Sequence, residues 1–181
     1  SLNPQWDADE RWDGICELSV VGGTAPDVLI CSQTEAEKLG TREQHNEEWG
    51  QRRLLAAGRA RCVVVTKGAE AADALTCDDG RFGRLACAIP PTLEPDALVD
   101  ATGAGDAFAA GFLTKFAVRD PSIDLDDALR TGSAYGAACC GVVGASAALD
   151  PSRVATYEAE NDQELANPIM WSARSRRPPS Q

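Results

Sequence analysis

Positive charge is scarce in this sequence: 17 Lys and Arg stand against 28 Asp and Glu, leaving a net charge of −11 and a pI near 4.5. A chain this acidic offers no general basic patch, so neither nucleic acid nor an anionic membrane surface is expected as a partner. No apolar run reaches the length of a membrane span, and no charged start followed by an apolar core marks a secretory signal. Histidine occurs once, at His45 among Gln44, Asn46 and Glu47, which is the setting of a solvated helix residue rather than a catalytic one. C-x-x-C spacing is missing too. The seven cysteines lie among apolar neighbours, favouring a reducing intracellular compartment, the cytoplasm, over a disulfide framework. Cys139 and Cys140 are adjacent on a predicted helix and point in different directions, so they read as small buried side chains rather than the redox pair of a flavodoxin-like or redox domain.

What is present is the composition of a globular domain: 181 residues, 44% hydrophobic and 25% charged, enough for one domain with a real core. The first residues, Ser1-Leu2-Asn3-Pro4, lack an initiator Met and read as the end of a strand, so a fragment or processed product is expected. Apolar spacing predicts a helix over 11–21, a short buried strand over 27–30, a helix over 32–39 and an amphipathic helix over 41–57 with Trp49, Leu54 and Leu55 inward. Cys62–Thr66, CVVVT, is the clearest strand and is expected to be covered on both faces. It ends in the turn Thr66-Lys67-Gly68. Segments 72–77 and 81–88 form a hairpin about Asp78-Asp79-Gly80, and Pro90, Pro91 and Pro95 lead into a strand over 97–99.

Two further helices are predicted. That over 105–116 is apolar nearly all round and expected to be buried; that over 125–140 carries Gly132, Ala134, Gly136, Ala137 and Ala138, small residues that permit close packing. The polar segment 152–181 forms at most one helix followed by a disordered tail, and no internal repeat occurs. This order of elements predicts an α/β fold with a mostly parallel sheet, flanking helices and a β-hairpin. Three polar features then fall at strand carboxyl ends, the edge where open α/β sheets hold ligands: Ser32 to Glu35, Thr66 to Gly68, and Asp100 to Asp106.

The stretch 98–113, LVDATGAGDAFAAGFL, is the centre of the pattern. Gly103 and Gly105 free the backbone so that the amides of Gly103, Ala104, Gly105 and Asp106 can form an anion-binding nest at a helix N-terminus. The motif is not a Walker loop, because no Lys follows at the required place, and not a dinucleotide fingerprint, because Phe108 stands where a third Gly or Ala is needed. Asp106 has two readings on spacing alone, a helix N-cap or the base of a phosphoryl transfer.

Together these residues resemble the ribokinase-like (PfkB) carbohydrate kinase family in its C-terminal, nucleotide-binding half. VDATGAGDAFAAGFL is similar to that family's second signature; LNPQWDADERWDG, VLICSQTEAEKL, VVVTKGAEA and ALRTGSAYGAACCGVVGA resemble further motifs in the family's order. The resemblance implies a ribokinase-like kinase domain truncated at its N-terminus over 1–151, followed by a terminal helix or disordered tail over 152–181. It further implies ATP-dependent transfer of a phosphoryl group to a hydroxyl of a sugar or nucleoside, with Asp106 as base and Gly103, Ala104 and Gly105 as anion hole. Ser32, Thr66 and Gly68 would bind the nucleotide phosphates and Ser133 would lie near the adenine. Glu35 would organise Mg²⁺ through water, and Asp100 and Thr102 would hold a monovalent cation such as K⁺.

The sequence departs from the family at Ser32, where the motif has Asn, and at Ala71, Ala101, Val142 and Val143. Ser32 to Glu35 also has the form of a helix capping box. No counterpart of the family's N-terminal half, with its acceptor site and β lid, is present. The chain alone is therefore expected to be weak or inactive, with an open sheet edge that favours pairing with another chain or a homo-oligomer. The alternative from another class is a non-catalytic nucleotide-binding or assembly module.

Overall fold

Every residue from Cys62 to Val65 is fully buried, and the other elements are arranged to make it so. The computed structural model describes residues 26–39, 60–78, 81–88, 91, 93, 95–116, 124–144 and 149–165. Its elements are β1 (Val28–Ser32), α1 (Gln33–Leu39), β2 (Cys62–Thr66), β3 (Ala72–Asp78), β4 (Arg81–Ala88), a 3-10 turn (Pro95–Ala97), α2 (Ala104–Lys115), α3 (Leu125–Cys139) and α4 (Pro151–Leu165). The predicted helices over 11–21 and 41–57, His45 and the tail past residue 165 lie outside the described residues. None of the described helices is long and apolar enough to cross a membrane.

The strands form one sheet in the order β1-β2-β3-β4. β1 and β2 are parallel, pairing Ser32 with Thr66 at their carboxyl ends, while β2–β3 and β3–β4 are antiparallel. The described sheet is therefore mixed, not mostly parallel as the pattern predicted. Chain length explains the difference: the connections 67–71 and 79–80 are too short for the crossover that a parallel neighbour requires.

Alternation along the strands divides the core in two. Ile30, Cys62, Val64, Ala72 and Ala74 face Phe108 and Phe112 of α2 and Leu125, Ala128 and Leu129 of α3. Leu29, Cys31, Val63, Val65 and Leu75 share the opposite face with Ala36 of α1 and Ala60. The expectation that β2 is covered on both sides holds, and β-branched valine suits that place.

Two other expectations fail for stated reasons. The strand over 97–99 is absent: Pro95–Ala97 is a 3-10 turn, Leu98 and Val99 are 57% and 54% exposed, and the Val99 amide bonds the Cys140 carbonyl at 2.8 Å. Its backbone donor is satisfied by the end of a helix, so no ladder partner is needed. α2 is not buried all round either. Phe108, Gly111 and Phe112 face inward, whereas Leu113 is half exposed.

The small residues of α3 do what their spacing predicted. A Cβ on Gly132 would sit 3.0 Å from the Phe108 ring and carbonyl, and one on Gly136 would sit 3.3 Å from the Ala104 carbonyl, so α2 and α3 meet backbone to backbone. α4 starts as a capped helix, with Pro151 in first position and Asp150 Oδ1 accepting the Ser152 amide at 2.9 Å and hydroxyl at 2.7 Å. Val154 is its buried contact.

The closest of these approaches between α2 and α3 yields a test. A Cβ on Gly111 would lie 2.7 Å from Tyr135 Cγ and 2.9 Å from the Thr131 carbonyl, whereas one on Gly105 meets nothing within 4 Å. Gly111→Ala is expected to destabilise the protein by about 1–3 kcal/mol through overpacking, and Gly105→Ala to leave stability unchanged or slightly higher, as read by urea denaturation.

Candidate active site

α1 and α2 each carry an acidic residue in the first turn, and they begin differently. α1 is closed by its own side chains. The Ser32 amide donates to Glu35 Oε2 at 2.6 Å and the Glu35 amide donates to Ser32 Oγ at 3.3 Å, a reciprocal capping box. Ser32 ends β1 and pairs in register with Thr66, whose hydroxyl donates to the Cys31 carbonyl at 3.5 Å. Beyond Thr66 the chain turns tightly through Gly68 at φ 59, and the Lys67 amide returns to the Ala71 carbonyl at 2.8 Å. Lys67 Nζ pairs with Asp73 of β3. The structure thus places Ser32, Glu35, Thr66 and Gly68 together at one edge of the sheet.

α2 starts differently. Its N-cap is Gly103 at φ 84, ψ −1, a left-handed conformation that glycine adopts at no steric cost, and this residue has no side chain with which to cap the helix. Asp106 is the third residue of the helix and exposed, so it is not the cap that one sequence reading made it. The Ala104 amide turns back to the Ala101 carbonyl at 3.1 Å, and the Ala107 amide takes the Gly103 carbonyl at 2.9 Å. Among the three expected anion-hole amides, Ala104 is therefore engaged in the turn. The Gly105 surface is bare, with nothing within 4 Å of its Cβ position.

The turn leading into α2 is organised by Asp100. Its Oδ1 accepts the Thr102 amide at 2.9 Å and its Oδ2 accepts the Gly144 amide at 2.9 Å, across 44 residues of sequence. The Val99 and Asp100 amides both bond the Cys140 carbonyl, at 2.8 and 3.1 Å. Cys139 Sγ lies 3.7 Å from the Thr102 carbonyl, to which its thiol donates. Hydrogen bonds from the Thr102 side chain and amide and from the Gly144 amide hold the Asp100 carboxyl below its usual range.

Three of the described cysteines have their thiols held protonated: burial pushes the Cys62 thiol up to about 12, and burial first, then nearby negative charge, raises Cys139 and Cys140. Ser133 is buried in α3, 4% exposed, so its hydroxyl is not presented at the surface beside α2. Gly144, at φ 84, was legible only as part of a Gly-Ala turn. The acceptor role of the Cys140 carbonyl left no trace in the sequence, because a backbone atom has no residue signature.

The family profile described as pfkB family carbohydrate kinase matches residues 17–152, three quarters of the chain and all of the site just described. The chain belongs to the pfkB carbohydrate kinase family. It is 32% identical over 130 residues to acarbose 7(IV)-phosphotransferase of Actinoplanes sp., an alignment covering 72% of this chain and 38% of that protein. The chain thus spans about two-fifths of that relative's length. Among solved structures, a microbiome-derived acarbose kinase is 27% identical with a TM-score of 0.58, covering 84% of this chain and 46% of that one. A fructokinase from Vibrio cholerae O395, bound to fructose, ADP and calcium, is 27% identical with a TM-score of 0.57 over 72% of this chain and 40% of its own. A variant of that fructokinase was solved with fructose, ADP and potassium. As a family member the chain has a ribokinase-like α/β fold.

The lowered pKa of Asp100 has a direct consequence. Because the folded value lies below the unfolded value, near 3.8, the stabilisation is fully present above that pH and is lost as pH falls through the folded value. The stability advantage of the wild type over Asp100→Asn is expected to be constant near neutral pH and to shrink at strongly acid pH. Chemical denaturation of both proteins along a pH series checks this.

Proposed function

We propose that this chain supplies the nucleotide side and the catalytic base of an ATP-dependent phosphotransferase acting on a hydroxyl of a sugar or nucleoside. The observation that carries the proposal is the start of α2, where Gly103 takes a left-handed conformation at the N-cap and Asp106 stands exposed in the first turn of the helix. A carboxylate beside a helix N-terminus, next to glycine backbone, suits an acceptor hydroxyl that must lose a proton as negative charge moves past. The proton passes to Asp106, the acceptor oxygen bonds the γ-phosphorus, and the bridge to the leaving diphosphate breaks. Gly103, Ala104 and Gly105 stabilise the transferring group, and among them Gly103 and Gly105 are the better donors because the Ala104 amide is engaged.

Ser32, Thr66 and Gly68, gathered at the ends of β1 and β2, form the triphosphate side. Ser133, buried on α3, lies on the helix that this reading places near the adenine. Mg²⁺ in this reading is held chiefly by the nucleotide phosphates and water, since magnesium keeps several waters and needs few protein carboxylates. Glu35 fits that role in part: one of its oxygens serves the Ser32 amide, and a carboxylate has further lone pairs for a metal-bound water. Magnesium neutralises phosphate charge when bound. Asp100, held ionised, and Thr102 fit a monovalent cation such as K⁺ beside the anion hole.

The names of the relatives support a carbohydrate acceptor. The second reading, a nucleotide-binding module without chemistry, draws on one observation: the Ser32–Glu35 box accounts for Glu35 without any metal.

Asp106→Asn in the full-length protein separates the two. The kinase reading expects kcat to fall by about 10²–10⁴ with the KM for ATP little changed. Retained transfer to every accepted substrate sinks the base assignment, and ATP binding by calorimetry without turnover in the wild type supports the module. Glu35→Gln keeps an oxygen for the Ser32 amide but removes the charge. It is expected to leave stability nearly unchanged and to raise the Mg²⁺ concentration needed for half-maximal rate; an unchanged Mg²⁺ requirement would reduce Glu35 to a cap.

A further inference from the structure

Arg153 stands one residue beyond the family match, and no motif uses it. It is nevertheless tied to the turn that enters α2. Arg153 Nη1 donates to the Gly141 carbonyl at 2.9 Å, and the guanidinium lies so close over Gly141 that a Cβ there would be 2.1 Å from Nη1. Gly141 follows Cys140, whose carbonyl accepts the Val99 and Asp100 amides. Three residues on, the Gly144 amide reaches the Asp100 carboxylate. The loop 140–144 is therefore held by α4 on one side and holds the 99–102 turn on the other.

We propose that Arg153 is a positioning residue for the phosphoryl-transfer site, setting through the 140–144 loop where Gly103 and Asp106 stand. This rests on the kinase reading. From Gly141 to Asp100 the connection runs through backbone carbonyls and amides, which have no rotamer freedom in which a displacement could be absorbed. α4 is a firm base for the contact because Asp150 caps it and Val154 anchors it in the core. A guanidinium at the carboxyl end of α3 also meets the negative end of that helix. Position 141 must lack a side chain for the guanidinium to reach its seat.

Two substitutions in the full-length protein break the contact by opposite routes: Arg153→Ala removes the guanidinium, and Gly141→Ala occupies its seat. In both, amide hydrogen exchange at Val99, Asp100 and Gly144 is expected to quicken about tenfold or more, as a loosened local unit does. kcat is expected to fall about tenfold with nucleotide KM changed less than about twofold, since small misplacements cost rate more than binding. Guanidinium ion at sub-denaturing concentration is expected to restore part of the rate to Arg153→Ala and none to Gly141→Ala, with urea restoring neither. Unchanged exchange at those amides overturns the proposal, and so does faster exchange with unchanged kcat. A wild type that transfers no phosphoryl group defeats the kinase reading instead, and the exchange measurement still decides whether Arg153 holds the turn.

Discussion

The close approach of α2 to α3 is the constraint on which the site depends. Gly111, Gly132 and Gly136 leave no room for a side chain between the two helices, so their backbones fix each other's position. Phe108 and Phe112 fill the space between this pair and the sheet, stacked at a centroid distance of 6.3 Å. Because α2 begins and α3 ends at the same place, the packing delivers the 99–103 turn to the 139–144 loop. The hydrogen bonds of Asp100, Cys139 and Cys140 then lock what the packing has brought together. Displacing either helix along its axis would break all of them at once.

The site draws its chemistry from a difference in capping. A helix start has four amides without intrahelical partners, and something must meet them. At α1 the protein itself does so, with Ser32 and Glu35, and the result is a stable corner between β1 and its helix. At α2 a left-handed glycine, which has no side chain to offer the amides, takes the cap position. Glycine at the cap costs only about a few tenths of a kcal/mol relative to a capping side chain, and it leaves an exposed Asp106 beside the positive end of a helix. The same turn is steadied from behind by an ionised Asp100, so its openness does not make it loose.

The sequence by itself determined the local elements and the identity of the motif. CVVVT read as a strand buried on both faces, Gly103 and Gly105 were free to take a conformation closed to other residues, which Gly103 does and Gly105 does not, and the small residues of α3 announced a close contact. These are properties of neighbouring residues, and periodicity or backbone sterics reveal them directly. Tertiary structure decided the rest. Residues 97–99 carry strand propensity, yet the Val99 amide finds its acceptor at Cys140, so no strand forms. The sheet is mixed because connection lengths, not strand composition, set direction. Asp106 was a cap or a base by spacing, and only the position of Gly103 as N-cap removed the first reading. The links from Asp100 to Gly144 and from Arg153 to Gly141 join residues whose partners are backbone atoms, and a backbone atom looks the same in every residue. What such atoms hold together becomes visible only when the chain is folded.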